Sequence, residues 1–136
     1  MVKQSLRGLR ARLASDGFTL IELMVVLAVV ALLLSVAVPR YFHSVNRSKE
    51  SVLRANLAVT RDALDKFYGD KGRYPDSLDQ LVQNQYLRSL PIDPITESNA
   101  SWILVAPNQS ERAGAVFDVR SGATGKSIDG SNYGDW

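Results

Sequence analysis

The sequence predicts an α+β protein. One long N-terminal helix, first transmembrane and then a stalk, should pack on a small C-terminal head with a short antiparallel β-sheet. Three observations predict this. Residues 18–38 carry a single charge, Glu22, in an otherwise apolar run. Beyond Pro39, apolar residues return at helical spacing. Past Pro75 the chain turns to short segments rich in β-branched and aromatic residues, separated by turn formers.

The totals bound the answer. The chain has 136 residues, enough for one small domain. It contains no cysteine, which removes disulfides and thiol zinc sites, and its one histidine, His43, excludes a histidine-rich metal centre. The basic character is local. Residues 1–17 hold Lys3, Arg7, Arg10 and Arg12 against Asp16, a net of +3, while the whole chain is +2, so residues 18–136 net −1. A chain basic only in its first residues gives no case for nucleic-acid binding.

A helix over 18–38 reaches about 30 Å, roughly the hydrocarbon thickness of a bilayer. A buried core helix is the alternative, but so small a domain could hardly wrap it on all sides. A cleaved secretory signal is another, and it fits poorly: the apolar run is long and no small-x-small site follows it before Pro39-Arg40-Tyr41. The basic residues precede the run, so the N-terminus should stay cytoplasmic and the remainder should cross.

The stretch "GFTLIELMVVLAVVALLLSVAVPRY" resembles the class III signal of type IV pilins and of the pseudopilins of type II secretion. It matches at Gly17, Phe18, Thr19, Leu20, Glu22 and Pro39. The resemblance implies a type IV pilin-like fold and a cleaved prepilin leader over residues 1–17. A membrane prepilin peptidase would cut between Gly17 and Phe18 and methylate the new amine of Phe18. That amine and the Glu22 carboxylate are both costly in lipid, and each is less costly beside the other. Phe18 and Glu22 are one helical turn apart, so the pair can form within one chain. In the family, the acid of an entering subunit neutralises the amine of its neighbour. An interfacial acid that merely favours a helix N-terminus is the plainer alternative.

Pro39 removes one backbone hydrogen bond, and its ring crowds the carbonyl of Ser35, which predicts a kink or a loosened turn. By resemblance such a site can melt into an extensible stem; a simple membrane exit is an equal reading. The stalk, residues 39–69, is amphipathic. Val45, Val52, Val59 and Ala63 form one edge of its stripe and Leu53, Leu57, Leu64 and Phe67 the other, with Arg54, Arg61, Asp62 and Asp65 largely off it. Gly69 and Gly72 are candidate terminators, and Pro75 closes the option. In the head, residues 70–136, Asp76 or Ser77 can cap a short helix that turns Leu78, Leu81 and Val82 inward. "RSLPIDPITESN" reads as an extended loop, "SWILVA" (101–106) and "GAVFDVRS" (114–121) as a hairpin, and the glycine-rich tail as loop.

The head narrows the resemblance. The Arg-Tyr-Pro step, the Leu-Pro-x-Asp-Pro loop, Asp118-Val119 followed by Ser121-Gly122, and the final Asp135-Trp136 resemble major pseudopilins of type II secretion. Such proteins usually hold calcium in the C-terminal loop. Here Asp118, Ser121, Asp129 and Asp135 are the candidate ligands. Ala123 and Thr124 replace an aspartate of the family pattern, so the metal assignment stays open beside a solvated loop pinned by Tyr133 and Trp136.

No motif supports catalysis: no nucleophile elbow, no phosphate-cradling glycine loop, and no carboxylates at acid–base spacing. The resemblance implies a structural subunit of the bacterial inner membrane, single-pass, with a periplasmic head. It would form a homo-oligomeric helical filament that drives export of folded proteins across the outer membrane. Its partners would be minor pseudopilins, the prepilin peptidase, an inner-membrane assembly platform and a cytoplasmic ATPase. A minor type IV pilus or DNA-uptake subunit is the alternative within the class, and a membrane-anchored periplasmic binding module the alternative outside it.

Overall fold

A computed structural model describes residues 17–108 and 113–136. Residues 1–16, most of the leader expected over residues 1–17, and residues 109–112 between the two expected strands lie outside the described residues. The chain divides into two units, one ending at Pro39 and one spanning Arg40–Trp136.

Helix α1 is Leu20–Lys71, with Pro39 inside it. It starts two residues later than expected because Thr19 acts as its cap. The Thr19 Oγ1 accepts the N–H of Glu22 at 3.2 Å, and its carbonyl accepts that of Leu23 at 3.1 Å. In the first unit every described residue is exposed.

In the second unit α1 supplies Leu53, Leu57, Ala63, Leu64 and Phe67 to the core. The other expected edge is different: Val52 and Val59 are exposed, at 49% and 56%. Residues 52 and 53, and 59 and 60, are about 100° apart on a helix, so the small head covers only one side of the stripe. Thr60 is buried in the covered row, and its hydroxyl donates to the Asn56 carbonyl at 2.8 Å, so its burial leaves no orphaned group. The helix passes through Gly69 and stops at Gly72, whose φ of +67° suits a residue without Cβ. The Gly72 N–H closes the last turn on the Tyr68 carbonyl at 2.8 Å.

Helix α2 is Leu78–Gln83, with Leu78 and Leu81 buried and Val82 packed at the margin of the core. Ser77 stands at the cap position but its side chain caps nothing. Asp76 does not cap the helix either; its N–H donates to Gln80 Oε1 at 3.0 Å, and Gln80 Nε2 donates back to Asp76 Oδ2 at 3.2 Å, which ties the approach to the first turn.

Strands β1 (Ile103–Val105) and β2 (Asp118–Arg120) pair antiparallel, with Leu104 opposite Val119. Both are shorter than expected. The cause is competition for hydrogen bonds: Tyr74 N–H donates to the Ala113 carbonyl, and the N–H groups of Ala115 and Val116 donate to the Pro75 carbonyl. Residues 113–116 therefore pair with the loop before α2 instead of extending the ladder. Glycine is required at two crossings. A Cβ on Gly122 would sit 1.9 Å from the Ser101 carbonyl oxygen, and one on Gly114 2.2 Å from that of Tyr74. The tail is more structured than a loop: Lys126 and Asn132 form an isolated bridge, and Tyr133–Asp135 form a 3₁₀ turn.

Candidate functional site

Two regions carry the residues singled out in the sequence, one in each unit. In the first, Gly17 and Phe18 precede the helix in non-helical backbone, and both are exposed. A Cβ on Gly17 would meet nothing within 4 Å. The chain's own structure therefore does not need glycine there. Glu22 lies in the first turn of α1, exposed, with its N–H bonded to Thr19. Thr19-x-x-Glu22 has the spacing of a capping box, a signal legible in the sequence. While Phe18 is joined to Gly17 its nitrogen is a neutral amide, so the charge that Glu22 could balance arises only on cleavage. After Glu22 the helix is long and apolar enough to cross a bilayer, and none of that apolar window is buried in the protein.

In the second unit the C-terminal loop folds against α1. Glu50, buried in the helix face, accepts the Ile128 N–H and the Tyr133 hydroxyl on Oε1, both at 2.8 Å. Burial, and then the bond to Glu50, push the Tyr133 hydroxyl up to about 12. One turn on, Arg54 Nη2 lies 3.1 Å from Asp129 Oδ2, and its guanidinium stacks 4.0 Å over the Trp136 ring. Asp129 Oδ1 accepts the Ser127 hydroxyl, the Ser131 hydroxyl at 2.6 Å and the Ser131 N–H at 3.0 Å. Tyr133 and Trp136 anchor the tail: their turn lies against β2, and their side chains also reach Glu50 and Arg54 of α1.

The four proposed calcium ligands do not converge. Asp118 is paired with Arg61 Nε at 2.7 Å. Ser121 donates to Asp93 Oδ2 at 2.5 Å. Asp135 accepts Asn132 Nδ2 at 3.0 Å, and Asp129 is held as above. Calcium takes six to eight oxygens, commonly with more than one carboxylate. Among the described residues no three acidic or histidine side chains gather, no buried side-chain polar atom lacks a partner, and a guanidinium already faces Asp129. This donor set does not fit the ion.

Asp93 was not anticipated. The aspartate of the Leu-Pro-x-Asp-Pro stretch is fully buried. Its Oδ1 accepts the N–H groups of Ile95 at 2.8 Å and Thr96 at 3.3 Å, while Oδ2 accepts Ser121. The loop is a tight turn around this carboxylate, bridged from Asp93 to Ser98, not an extended segment. An aspartate between two prolines is a turn signal; its burial is not visible in sequence.

Asp129 carries a pH consequence. Its carboxyl is held well below the usual carboxylate range, first by the Ser127 hydroxyl, then by Ser131, with Arg54 adding less. A depressed folded value stabilises the fold above the unfolded value near 4, and the contribution is lost as pH falls through the folded value. Chemical denaturation of the detergent-solubilised chain between pH 2 and 6 should show stability declining below about pH 4, and declining less in Asp129→Asn. Equal slopes in the two proteins would contradict this.

Comparison with known proteins bears on both regions. The prokaryotic N-terminal methylation motif matches residues 12–38. The chain is 28% identical to the type II secretion system core protein G of Klebsiella michiganensis, covering 92% of this chain and 95% of that protein. It is 29% identical to the core protein G of Pseudomonas aeruginosa, covering 92% and 97%. Over nearly its whole length the chain is thus similar to type II secretion core proteins. The chain is also 38% identical to the type IV major pilin protein PilA of Myxococcus xanthus, but over only 48% of this chain and 30% of PilA. No solved structure matches it. The relatives carry the names of structural components, not of enzymes. An apolar N-terminal helix behind this motif fits a membrane-anchored pseudopilin.

Proposed function

We propose that this chain is a pseudopilin, a non-catalytic filament subunit of a type II secretion system. A prepilin peptidase cuts between Gly17 and Phe18 and methylates Phe18. Residues 18–38 span the inner membrane with the N-terminus cytoplasmic and the head, residues 70–136, periplasmic on its stalk, residues 39–69. Copies then polymerise through their apolar segments, and the growing filament drives folded proteins across the outer membrane. An assembly platform and a cytoplasmic ATPase supply the work, and minor pseudopilins complete the filament. Pro39, which leaves the Ser35 carbonyl without its helical donor, is a yielding point in the packed stem.

The observation that carries this reading is a bare apolar helix whose one charge sits in the first turn, one turn from the amine that cleavage creates. In lipid a lone carboxylate costs roughly 2.5–3.5 kcal/mol, and pairing with the amine of an adjacent copy relieves it. Val52 and Val59 add an exposed apolar edge on the stalk. The secretion reading is favoured over a pilus or DNA-uptake subunit because the pilin relative matches half of the chain, whereas the core protein G relatives match nearly all of it.

Single cysteines placed in 18–38 should crosslink in cells into a ladder of multimers. Glu22→Leu should still insert in the membrane but lose the ladder by about tenfold or more. Monomer alone in the wild-type background would favour a membrane-anchored binding module, and an undiminished ladder in the variant would remove the role of Glu22.

A further inference from the structure

We infer that the C-terminal loop of this chain is closed without a metal ion, by Glu50 and Arg54 of α1. Residues 127–136 meet the helix through two side chains one turn apart, an acid and a base. Glu50 takes the N–H of Ile128 at the loop's start and the Tyr133 hydroxyl near its end. Arg54 takes the carboxylate between them and the terminal indole. The loop then closes on itself: Ser127 N–H donates to the Ser131 carbonyl at 2.8 Å, and Trp136 Nε1 donates to Ser131 Oγ at 2.8 Å.

The two anchors are unequal. Arg54 and Asp129 are both more than half exposed, so their ion pair is screened and weak. The stacking of Arg54 on Trp136 adds a comparable small attraction. Glu50 and Tyr133 are buried, and a buried carboxylate bonded to two donors is the stronger tie. Glu50 therefore holds the loop, and Arg54 supplies, opposite Asp129, the positive charge that a bound cation would otherwise bring. Asp129 already faces a guanidinium, and Asp135, the other acid of the loop, accepts from Asn132 instead of converging on it, so no pair of carboxylates is left free to hold a divalent ion. This inference stands whether or not the chain acts in secretion, because it concerns only the contact between the tail and α1.

The test uses the full-length chain in detergent, followed by near-ultraviolet circular dichroism during heating and by cleavage of the tail with a non-specific protease. Calcium chloride at 1 mM and excess chelator should give the same melting temperature and the same cleavage rate. Glu50→Ala should expose the tail to cleavage about tenfold faster, and Arg54→Gln less so, with neither restored by calcium. A melting temperature raised by more than about 5 °C in calcium and lowered again by chelator would overturn the inference. So would a Glu50→Ala protein whose tail is as resistant as the wild type. Should Glu50→Ala fail to fold, the comparison of calcium with chelator on the unaltered chain still decides.

Discussion

Gly17→Val is expected to leave the protein in membranes as the longer precursor, with cleaved product reduced by about a hundredfold. The structure places the cause outside the chain. Gly17 is exposed, no neighbour stands within 4 Å of where a Cβ would project, and its backbone is not in the left-handed region. A side chain there meets no described neighbour, so any demand for glycine would come from a peptidase that seats the Gly17–Phe18 bond. Displacement of a scissile bond by about 1 Å is enough for a loss of roughly a hundredfold in rate. The mass of the protein extracted from membranes reads the result directly, because precursor and product differ by residues 1–17. Valine-bearing protein that begins at Phe18 to the same extent as wild type would remove Gly17 from the processing site. Insertion and folding of the head should be unchanged, which separates a processing defect from a misfolded chain.

Asp93→Ala should be the most damaging single change in the head, costing about 3–5 kcal/mol. The carboxylate is fully buried, and three donors converge on it, from Ile95, Thr96 and Ser121. Alanine removes the acceptor of all three and opens the turn that carries Trp102, whose Nε1 reaches back to the Pro91 carbonyl at 2.9 Å. At roughly 4–8 °C per kcal/mol for a domain of this size, the melting temperature should fall by about 15 °C or more. Asp93→Asn keeps the shape but replaces one acceptor with a donor facing the Ser121 hydroxyl, so an intermediate loss is expected. Thermal unfolding followed by Trp fluorescence checks both. An alanine variant within a few degrees of wild type would show that the donors find other acceptors.

How much could be read in advance follows from what each feature depends on. The apolar helix and its acid are local patterns, and they were legible because lipid solubility acts on consecutive residues. The covered row Leu53, Leu57, Leu64 and Phe67 was legible for the same reason: helical periodicity is local. The neighbouring edge was misjudged at Val52 and Val59, since sequence gives the width of an apolar stripe but not how much of it a small head covers. Glu50 and Arg54 gave no signal as anchors. A charged residue on a stalk reads as solvent-facing until the loop that meets it, some eighty residues on, is in place. Asp93 was passed over because a turn former and a buried acceptor look alike in one dimension.

The sequence by itself determined that this chain has a long apolar helix, with Gly69 and Gly72 as its candidate ends, and a small mixed head. These rest on interactions between residues a few positions apart. Only the tertiary structure decided which carboxylates are turned inward, where the ladder stops, and that the tail closes on α1 through Glu50 and Arg54 rather than around an ion. Those outcomes depend on which donors the fold brings within 3 Å of each oxygen. Distance along the chain does not set that distance in space.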